Sequence, residues 1–305
     1  MDIDFQFCRV KPYLSRMYDI CCIGHLTSDK IVTPDSVSYL PGGTAYYFSW
    51  ALSRLSVEYL LVTSLAAANM KYVDLLRAKG ISVNAHAGSG TVFFENIYGA
   101  SHDDRSQNVL QTADPFSLAQ LEKVDARIFH LGPLLADDIP AELVQALSAK
   151  GRISLDVQGY LRTVVNQKVY QTDWPEKRQV LQHVDILKAD VAELRALTGC
   201  ETVADGARQV ADWGVKEVVV TNGSKGSTIY SGDGIYQIPA YAPSVVVDAT
   251  GCGDTYMAGY LFRRLKDDGI QQAGEFAAAM AGLKTAANGA FEGTEQEVAE
   301  FRGGV

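Results

Sequence analysis

The stretch that decides the fold is SVVVDATGCGDTYMAGYLFRRL, residues 244–265. Its β-branched residues Val245–Val247 predict a strand, which runs into a loop of small residues and then into an amphipathic helix that starts near Asp254. Gly251 and Gly253 allow successive backbone N–H groups to turn the same way, and the helix N-terminus adds a partial positive charge. We therefore expect an anion-binding loop that suits a phosphoryl group.

Asp254 is an unexpected neighbour for such a loop, because a carboxylate repels phosphate. Its presence is explained if the carboxylate takes the proton from an attacking hydroxyl group as a general base. The alternative is a plain strand–turn–helix in which Asp254 interacts favourably with the helix dipole. The spacing of the residues alone leaves both interpretations open.

Strands and helices alternate along most of the chain on either side of this stretch. The first strong strand signal is YDICCIGHL, residues 18–26, and short apolar runs alternate with helical patterns after Pro115. Residues 81–113 differ, since they predict short strands without an intervening helix and hence a β-flap. The alternation predicts a parallel sheet covered by helices on both faces. We therefore expect one α/β domain over residues 1–305, with lid strands from about 30–40 and 88–113.

The composition limits the classes of function. The 305 residues are 47% hydrophobic, and the net charge of −9 argues against a broad nucleic-acid or anionic-membrane surface. The five cysteines show no CxxC spacing, which favours a reducing compartment over a disulfide framework or a zinc site. No apolar run approaches the roughly 20 residues that span a bilayer, and the N-terminus lacks the apolar region of a secretory signal. We expect a cytoplasmic protein that binds neither nucleic acid nor a membrane.

The segment DATGCGDTYMAGYL, residues 248–261, resembles the C-terminal signature of the ribokinase-like (PfkB) carbohydrate kinases, Asp-Thr-x-Gly-Ala-Gly-Asp followed by a small-residue helix. Ala249 stands where Thr or Pro is usual and Cys252 where Ala is usual, and both departures leave the backbone N–H groups available. Further segments in family order extend the resemblance over nearly the whole chain. It implies a three-layer α/β/α sandwich with a mostly parallel central sheet and a small β-flap lid. It also implies an ATP-dependent kinase that phosphorylates a hydroxyl group of a small sugar-like substrate.

The resemblance assigns roles around the phosphate-binding loop. Asp254 matches the catalytic base. The backbone N–H groups that stabilise the transferring phosphoryl group would come from Gly251, Cys252, Gly253 and Asp254. Family members often use a monovalent cation such as K⁺ beside this loop, and Asp248 and Thr250 are the matching candidates.

Two segments near the N-terminus match the part of the family pattern that holds the acceptor. GHLTSDKIV is similar to the first strand and loop, which implies that Asp29 binds substrate hydroxyl groups. LPGGTAYYFSWALSRLS is similar to the N-terminal signature, in which Gly42 and Gly43 let the sugar approach the backbone closely. The family usually has Asn four residues after the second glycine, where this chain has Tyr47. That departure puts a typical ribose or fructose pocket in doubt.

Two further segments match the nucleotide side. LKADVAELRALTG is similar to the family's Asn-x-x-Glu segment, with Asp190 in place of Asn near ATP and Glu193 acting near Mg²⁺ through water. An Asp-x-x-Glu sequence at a helix start is also a capping box, which is the alternative. VVVTNGSKGSTIY resembles the nucleotide loop, and it places Thr221, Gly223 and Gly226 against ATP.

Three residues carry weaker hypotheses. Glu95 and Arg105 lie on the predicted flap and could contact substrate, although each is more often a solvated charge. A thiol near a helix N-terminus tends toward a lowered pKa, so Cys252 predicts sensitivity to thiol reagents, against the alternative of an inert small residue.

The acceptor stays open at this point. DVQGYLR, residues 156–162, looks like a segment in the branch of the family that includes plant myo-inositol kinases, so a nucleoside or cyclitol kinase on the same fold is an alternative to a sugar kinase. A binding protein that kept the fold without catalysis is a further alternative, which the retention of Asp254 disfavours. Homodimers that form through the flap occur in this family.

Overall fold

The computed structural model describes residues 16–98 and 105–303, which form two β-sheets and ten α-helices. The strands are β1 (Met17–Ile23), β2 (Thr27–Val32), β3 (Val37–Gly42), β4 (Tyr59–Ala66), β5 (Ser82–Gly88), β6 (Val92–Tyr98), β7 (Arg105–Gln111), β8 (Asp125–Leu131), β9 (Arg152–Asp156), β10 (Arg162–Val165), β11 (Lys168–Gln171), β12 (Ile186–Asp190), β13 (Glu217–Thr221), β14 (Ser227–Ser231) and β15 (Gly234–Ile238). The helices are α1 (Thr44–Leu52), α2 (Lys71–Ala78), α3 (Leu118–Leu121), α4 (Ala141–Ser148), α5 (Lys177–Leu181), α6 (Val191–Thr198), α7 (Val203–Asp212), α8 (Cys252–Leu265), α9 (Ile270–Lys284) and α10 (Glu295–Gly303).

The central sheet has nine strands in the order β15-β14-β13-β12-β9-β8-β1-β4-β5. The pairs from β13 to β5 are parallel, and β14 and β15 add an antiparallel edge. One apolar cluster packs α1, α8 and α9 on one face, and a second packs α4, α5, α6 and α7 on the other. The three-layer sandwich with a mostly parallel sheet is therefore confirmed.

The lid is a separate sheet with the strand order β10-β11-β7-β6-β2-β3. Four of these strands come from the two regions that the sequence predicts. The hairpin β10–β11 was not predicted, and β5 at the start of the predicted flap belongs instead to the central sheet. It pairs parallel to β4 after the helix α2, as the third element of a strand–helix–strand unit. The polar turn predicted between β6 and β7 falls largely on residues 99–104, outside the described residues.

The predicted strand at Val245–Val247 is wrong. This segment is irregular, and its three side chains are 46–64% exposed. Its backbone pairs with the end of α9 rather than with a strand, since the Val247 N–H donates to the Thr285 carbonyl oxygen at 2.7 Å. The β-branched residues therefore form an extended connection that leads into the loop before α8.

The carboxyl ends of the parallel strands bring several polar residues to one edge of the central sheet. Asp156, Asp190 and Thr221 end β9, β12 and β13, and the register pairs Asp190 with Thr221 and Lys188 with Asp156. Such an edge is where open α/β sheets bind ligands. Among the described residues, no helix is both long and apolar enough to cross a membrane.

Candidate active site

The loop before α8 has the geometry of an anion site. Gly251 caps the helix in the left-handed conformation with φ 74°, and the Cys252 N–H donates to the Ala249 carbonyl oxygen at 3.2 Å. Across the described residues, the N–H groups of Gly253 and Asp254 have no hydrogen-bond acceptor. The first N–H groups of a helix lack intrahelical partners, and together with the helix dipole they attract an anion. This local geometry fits the loop predicted from the sequence.

Tyr47 on α1 packs directly on this loop. A Cβ atom at Gly251 would overlap the Tyr47 ring, so the side chain needs a glycine at that position. Burial and the neighbouring carboxylates Asp29, Asp248 and Asp254 raise the pKa of the Tyr47 hydroxyl far above its usual value. Tyr47 therefore lies between the acceptor side of the site and the anion loop.

Asp254 lies in the first turn of α8, within a buried group of charges. Burial and the Asp156 carboxylate raise the pKa of Asp254 to about 6, although the Lys188 ammonium and the Thr44 hydroxyl act in the opposite direction. No ion pair joins Asp254 to the described part of the chain. A carboxylate with this pKa is ionised at neutral pH and can still accept a proton, which suits a general base.

Lys188 neutralises part of this acidic group. Its buried Nζ lies 3.0 Å from Asp156 Oδ2 and 3.7 Å from Glu193 Oε2. A Cβ atom at Gly253 would lie 3.4 Å from that same Nζ, so the ammonium is adjacent to the anion loop. No sequence pattern marks Lys188 or gives Asp156 a role, because only the pairing of β9 with β12 brings them to the loop.

The side of Asp254 where the sequence predicts acceptor binding is formed by the lid and the start of α1. Thr27 Oγ1 donates to Asp29 Oδ1 at 2.6 Å, and a Cβ atom at Gly42 would overlap the Asp29 carboxylate. Gly42 thus makes room for the side chain of Asp29. Gly43, with φ 88°, starts α1 and directs Thr44 toward Asp254. The two glycine signatures, far apart in sequence, therefore meet at Asp254.

A cavity of about 350 Å³ opens on the other side of the anion loop. Thr221, Gly223 and Gly226 line it, together with Cys252 and Gly253. Further lining residues, which no sequence motif marks, are mainly apolar: Ala240, Tyr241, Ala242, Pro243, Val246, Tyr256, Ala278 and Ala281. Small-molecule pockets are commonly about 300–1,000 Å³ and mostly apolar, so this cavity fits one.

Asp190 and Glu193 form the capping box that was the alternative to a metal site. Asp190 Oδ1 accepts the Glu193 N–H at 2.7 Å, and Glu193 Oε2 accepts the Asp190 N–H at 2.7 Å. The other Glu193 oxygen, Oε1, is 3.4 Å from Gln158 Nε2. Among the described residues, no group of three acidic, His or Cys side chains is arranged to hold a metal ion.

Asp248 is held from several directions. Oδ1 accepts the Thr250 N–H at 2.8 Å, while Oδ2 accepts from Lys284 Nζ at 2.9 Å and from the Gly289 N–H at 3.3 Å. Burial alone would raise the pKa of Asp248, but the hydrogen bonds from Thr250 and Lys284 outweigh it and hold the pKa below its usual range. The carboxylate is therefore a fixed, ionised anchor for the loop.

The expected lowering of the Cys252 pKa is wrong. Burial raises the pKa of the thiol to about 11, and Sγ lies 3.7 Å from the Ala281 carbonyl oxygen. Loss of hydration therefore outweighs the helix terminus, and the thiol is protonated at neutral pH. This environment favours the alternative of an inert small residue.

The flap residues are less informative. Glu95 Oε1 accepts from Lys30 Nζ at 2.7 Å, and Oε2 accepts from Asn108 Nδ2 at 2.9 Å, so both oxygens are engaged within the lid. The side chain of Arg105 lies outside the described residues. The Glu95 carboxylate is therefore held by lid residues, and a contact of either residue with substrate stays a prediction.

The chain is similar to known kinases over most of its length. The family model described as pfkB family carbohydrate kinase matches residues 17–297. A cytidine kinase of Thermococcus kodakarensis is 28% identical over 259 residues, covering 80% of this chain and 88% of the relative.

Two solved structures share the fold. One is a pyrophosphate-dependent kinase in the ribokinase family, complexed with a pyrophosphate analog and myo-inositol. It has a TM-score of 0.83 and 28% identity over 92% of this chain and 99% of its own. The other is Arabidopsis thaliana ribokinase complexed with ribose and ATP, with a TM-score of 0.77 and 22% identity over 94% of this chain and 99% of its own. The second likeness concerns the fold alone.

Proposed function

The chain belongs to the pfkB family of carbohydrate kinases, and from this premise we propose that it transfers the γ-phosphoryl group of ATP to a hydroxyl group of a small polyhydroxylated acceptor. The observation that carries the proposal is the position of the Asp254 carboxylate between two half-sites. On one side lie Gly43, Thr44 and the lid, and on the other lie the free N–H groups of the anion loop.

The acceptor is activated by proton transfer. In the proposed mechanism, Asp29 holds an acceptor hydroxyl from the lid, and Asp254 takes the proton of the attacking hydroxyl. Lys188 keeps Asp254 ionised, because its positive charge offsets the repulsion from Asp156. The base therefore works near neutral pH, where proton transfer to it contributes on the order of 10²–10⁴-fold in rate.

The phosphoryl group is stabilised by preorganised donors. The N–H groups of Gly253 and Asp254 face the developing charge, and the Lys188 ammonium lies beside them. Phosphoryl transfer depends mainly on positioning and on neutralising charge, which this loop can supply.

The chain's residues fit a magnesium ion that is carried by the nucleotide. Mg²⁺ usually keeps several waters and is held by one or two carboxylates together with substrate phosphates. Glu193 Oε1 is the carboxylate oxygen outside the capping box that could hold such a water. When bound, Mg²⁺ would neutralise the donor phosphates. Asp190 would act indirectly, by fixing Glu193 through the capping box.

The cavity beside the loop supports ATP as the donor. Thr221, Gly223 and Gly226 lie around an apolar space that continues from the anion loop, and an apolar space of about 350 Å³ suits a nucleobase. The second candidate is pyrophosphate, because a similar structure at 28% identity is a pyrophosphate-dependent kinase. Pyrophosphate has no group that would fill this cavity, so the geometry favours ATP.

The acceptor need not be an ordinary sugar. Tyr47 occupies part of the space above Gly251, and the similar proteins include a cytidine kinase and a kinase crystallised with myo-inositol. Nucleosides and cyclitols are therefore candidates together with pentoses and hexoses. We further propose that the protein acts in the cytoplasm.

A homodimer through the lid is supported by exposed apolar side chains on the lid. Val37, Tyr39 and Leu40 on the edge strand β3 are 54–60% exposed, and Val165 and Tyr170 on the hairpin β10–β11 at the opposite end of the lid are 50–51% exposed. Exposed apolar edges of a sheet commonly pair with another chain.

The test is a phosphoryl-transfer screen. Purified protein is incubated with ATP or pyrophosphate and with pentoses, hexoses, nucleosides and inositols, and product is measured. We expect turnover with ATP and one acceptor class. Asp254→Asn should lower kcat on the order of 10²–10⁴-fold while ATP still binds. Asp205→Asn on the exposed surface of α7 is the control and should not change kcat. Unchanged turnover of Asp254→Asn would overturn the mechanism.

A further inference from the structure

Lys284 is the last residue of α9, and its side chain is completely buried although it carries a charge. Nζ donates to Asp248 Oδ2 at 2.9 Å and to the Asp248 carbonyl oxygen at 2.8 Å. Removing an ammonium group from water is unfavourable unless it is paired and hydrogen-bonded. Both of these partners belong to one residue, Asp248, so the ammonium is dedicated to it.

This ammonium lies where the family resemblance implies a monovalent cation. The candidate ligands were Asp248 and Thr250, beside the anion loop. A K⁺ ion would bind carbonyl and carboxylate oxygens there, and Lys284 already occupies one of each on Asp248. A second positive charge at hydrogen-bond distance from the ammonium would be strongly repelled.

The other hydrogen bonds of Asp248 also occupy positions that a bound cation would need. Oδ1 accepts the N–H of Thr250, and Oδ2 accepts the N–H of Gly289. Backbone N–H groups carry partial positive charge, so they take positions around the carboxylate that a cation would need. The residues present therefore do not fit K⁺.

We propose that the Lys284 ammonium replaces the monovalent cation, so that this chain works without K⁺. The ammonium positions the Asp248 carboxylate, which accepts the Thr250 N–H. These two hydrogen bonds hold the anion loop, which ends in Gly253, in its conformation. The part of the inference that concerns catalysis rests on the proposed function. The part that concerns cation binding does not.

The first experiment measures cation binding directly and needs no substrate. Thallium(I), a K⁺ mimic, is added to the protein, and binding is followed by ²⁰⁵Tl NMR and by anomalous scattering from crystals. We expect no thallium at Asp248 in the wild-type protein. We also expect the same melting temperature in KCl and in tetramethylammonium chloride. Thallium bound to Asp248 in the wild type would overturn the inference, whether or not the protein proves to be a kinase.

The second experiment removes the ammonium. Lys284→Met keeps most of the side-chain stem and leaves the Asp248 carboxylate without its partner. Loss of a hydrogen bond to a charged group should lower kcat on the order of tenfold or more, and K⁺ or NH₄⁺ should restore part of it. Thallium should now bind at Asp248. Wild-type turnover should be equal in K⁺ and in tetramethylammonium at one ionic strength, and activation of the wild type by K⁺ would contradict the proposal.

Lys150→Met is the matched control. The Lys150 ammonium also binds backbone carbonyl oxygens, those of Leu121, Glu122 and Val124 at 2.7–3.2 Å, but it lies at the opposite end of the sheet. Its loss should lower the melting temperature without any rescue by K⁺. Rescue of both variants alike would show a general salt effect and would count against the inference. If Lys284→Met does not fold, the wild-type measurements still decide the question.

Discussion

Asp254 has to satisfy two opposing requirements at the scale of a single residue. As the proposed base it must be ionised to accept a proton, yet the Asp156 carboxylate nearby disfavours that charge. Burial and Asp156 favour the protonated form, while Lys188 and Thr44 favour the ionised form, and the balance puts the pKa of Asp254 at about 6. The residues around the base therefore set the pH range in which it works.

A pH profile tests this balance. Because only ionised Asp254 can accept the proton, kcat/KM should fall as the pH drops through about 6 and be constant above it. Asp156→Asn removes a negative charge that raises the pKa of Asp254, while the Lys188 ammonium that lowers it stays in place. The pKa of Asp254 should therefore fall, and the acid limb of the profile should move to lower pH. The measurement is kcat/KM against pH for both proteins. The exposed variant Asp205→Asn should keep the wild-type limb, and a shift of Asp156→Asn to higher pH would contradict the assignment.

The residues of this balance differ in how far the sequence could reveal them. Asp254 and its glycines lie in one short segment, so their spacing predicts the loop, and the resemblance of that segment to the family signature implies the base. Lys188 and Asp156 come from different strands and meet only through the parallel pairing of β9 with β12. No local pattern marks such a pair. The pKa of Cys252 was predicted in the wrong direction for a similar reason, since burial by distant elements exceeds the local effect of the helix terminus.

At the scale of the element, the start of α8 depends on the contact between Gly251 and Tyr47. Two properties require glycine there, the positive φ of 74° and the ring that lies where a Cβ atom would be. The chain offers a comparison that separates them. Gly199 ends α6 with the same φ of 74°, but nothing lies within 4 Å of its Cβ position.

Alanine at each glycine should therefore have different effects. Gly199→Ala should lose about 1 kcal/mol of unfolding free energy, because a non-glycine residue is strained at this φ, and Gly251→Ala should lose more, because its Cβ atom also overlaps the Tyr47 ring. Only Gly251→Ala should also displace Tyr47 and the anion loop, with kcat reduced on the order of tenfold or more. The measurements are denaturant unfolding and steady-state kinetics. The double variant Gly251→Ala/Tyr47→Ala should recover part of kcat, and equal kcat for the two single variants would remove the role of the contact.

At the scale of the whole molecule, the two sheets divide the work. In the proposed site, the layers built on the central sheet contribute the anion loop before α8 and the apolar cavity, whereas the lid contributes Asp29. The alternation of strands and helices was enough to predict the central sheet, since the residue patterns of a strand and of a helix can each be read within a short stretch of sequence. The hairpin β10–β11 was missed because its strands have four residues each and join the lid through pairing with the distant strand β7. The cavity wall was not predicted, because its residues come from segments far apart in sequence: the loop at 221–226, the connection at 240–249, and the helices α8 and α9.

This division of work predicts which substrate each variant affects. Asp29→Ala removes a carboxylate from the lid, and a hydrogen bond to a charged group contributes about 1.5–3 kcal/mol, so KM for the acceptor should rise roughly 10- to 150-fold. KM for ATP should stay unchanged, because no lid residue lines the proposed donor cavity. Asp35→Ala, in the exposed turn between β2 and β3, is the matched control and should change neither constant. An equal rise in both KM values for Asp29→Ala would contradict this division. It would mean that binding of the acceptor at the lid and binding of ATP in the donor cavity are coupled, so that the two half-sites that meet at Asp254 act as one site.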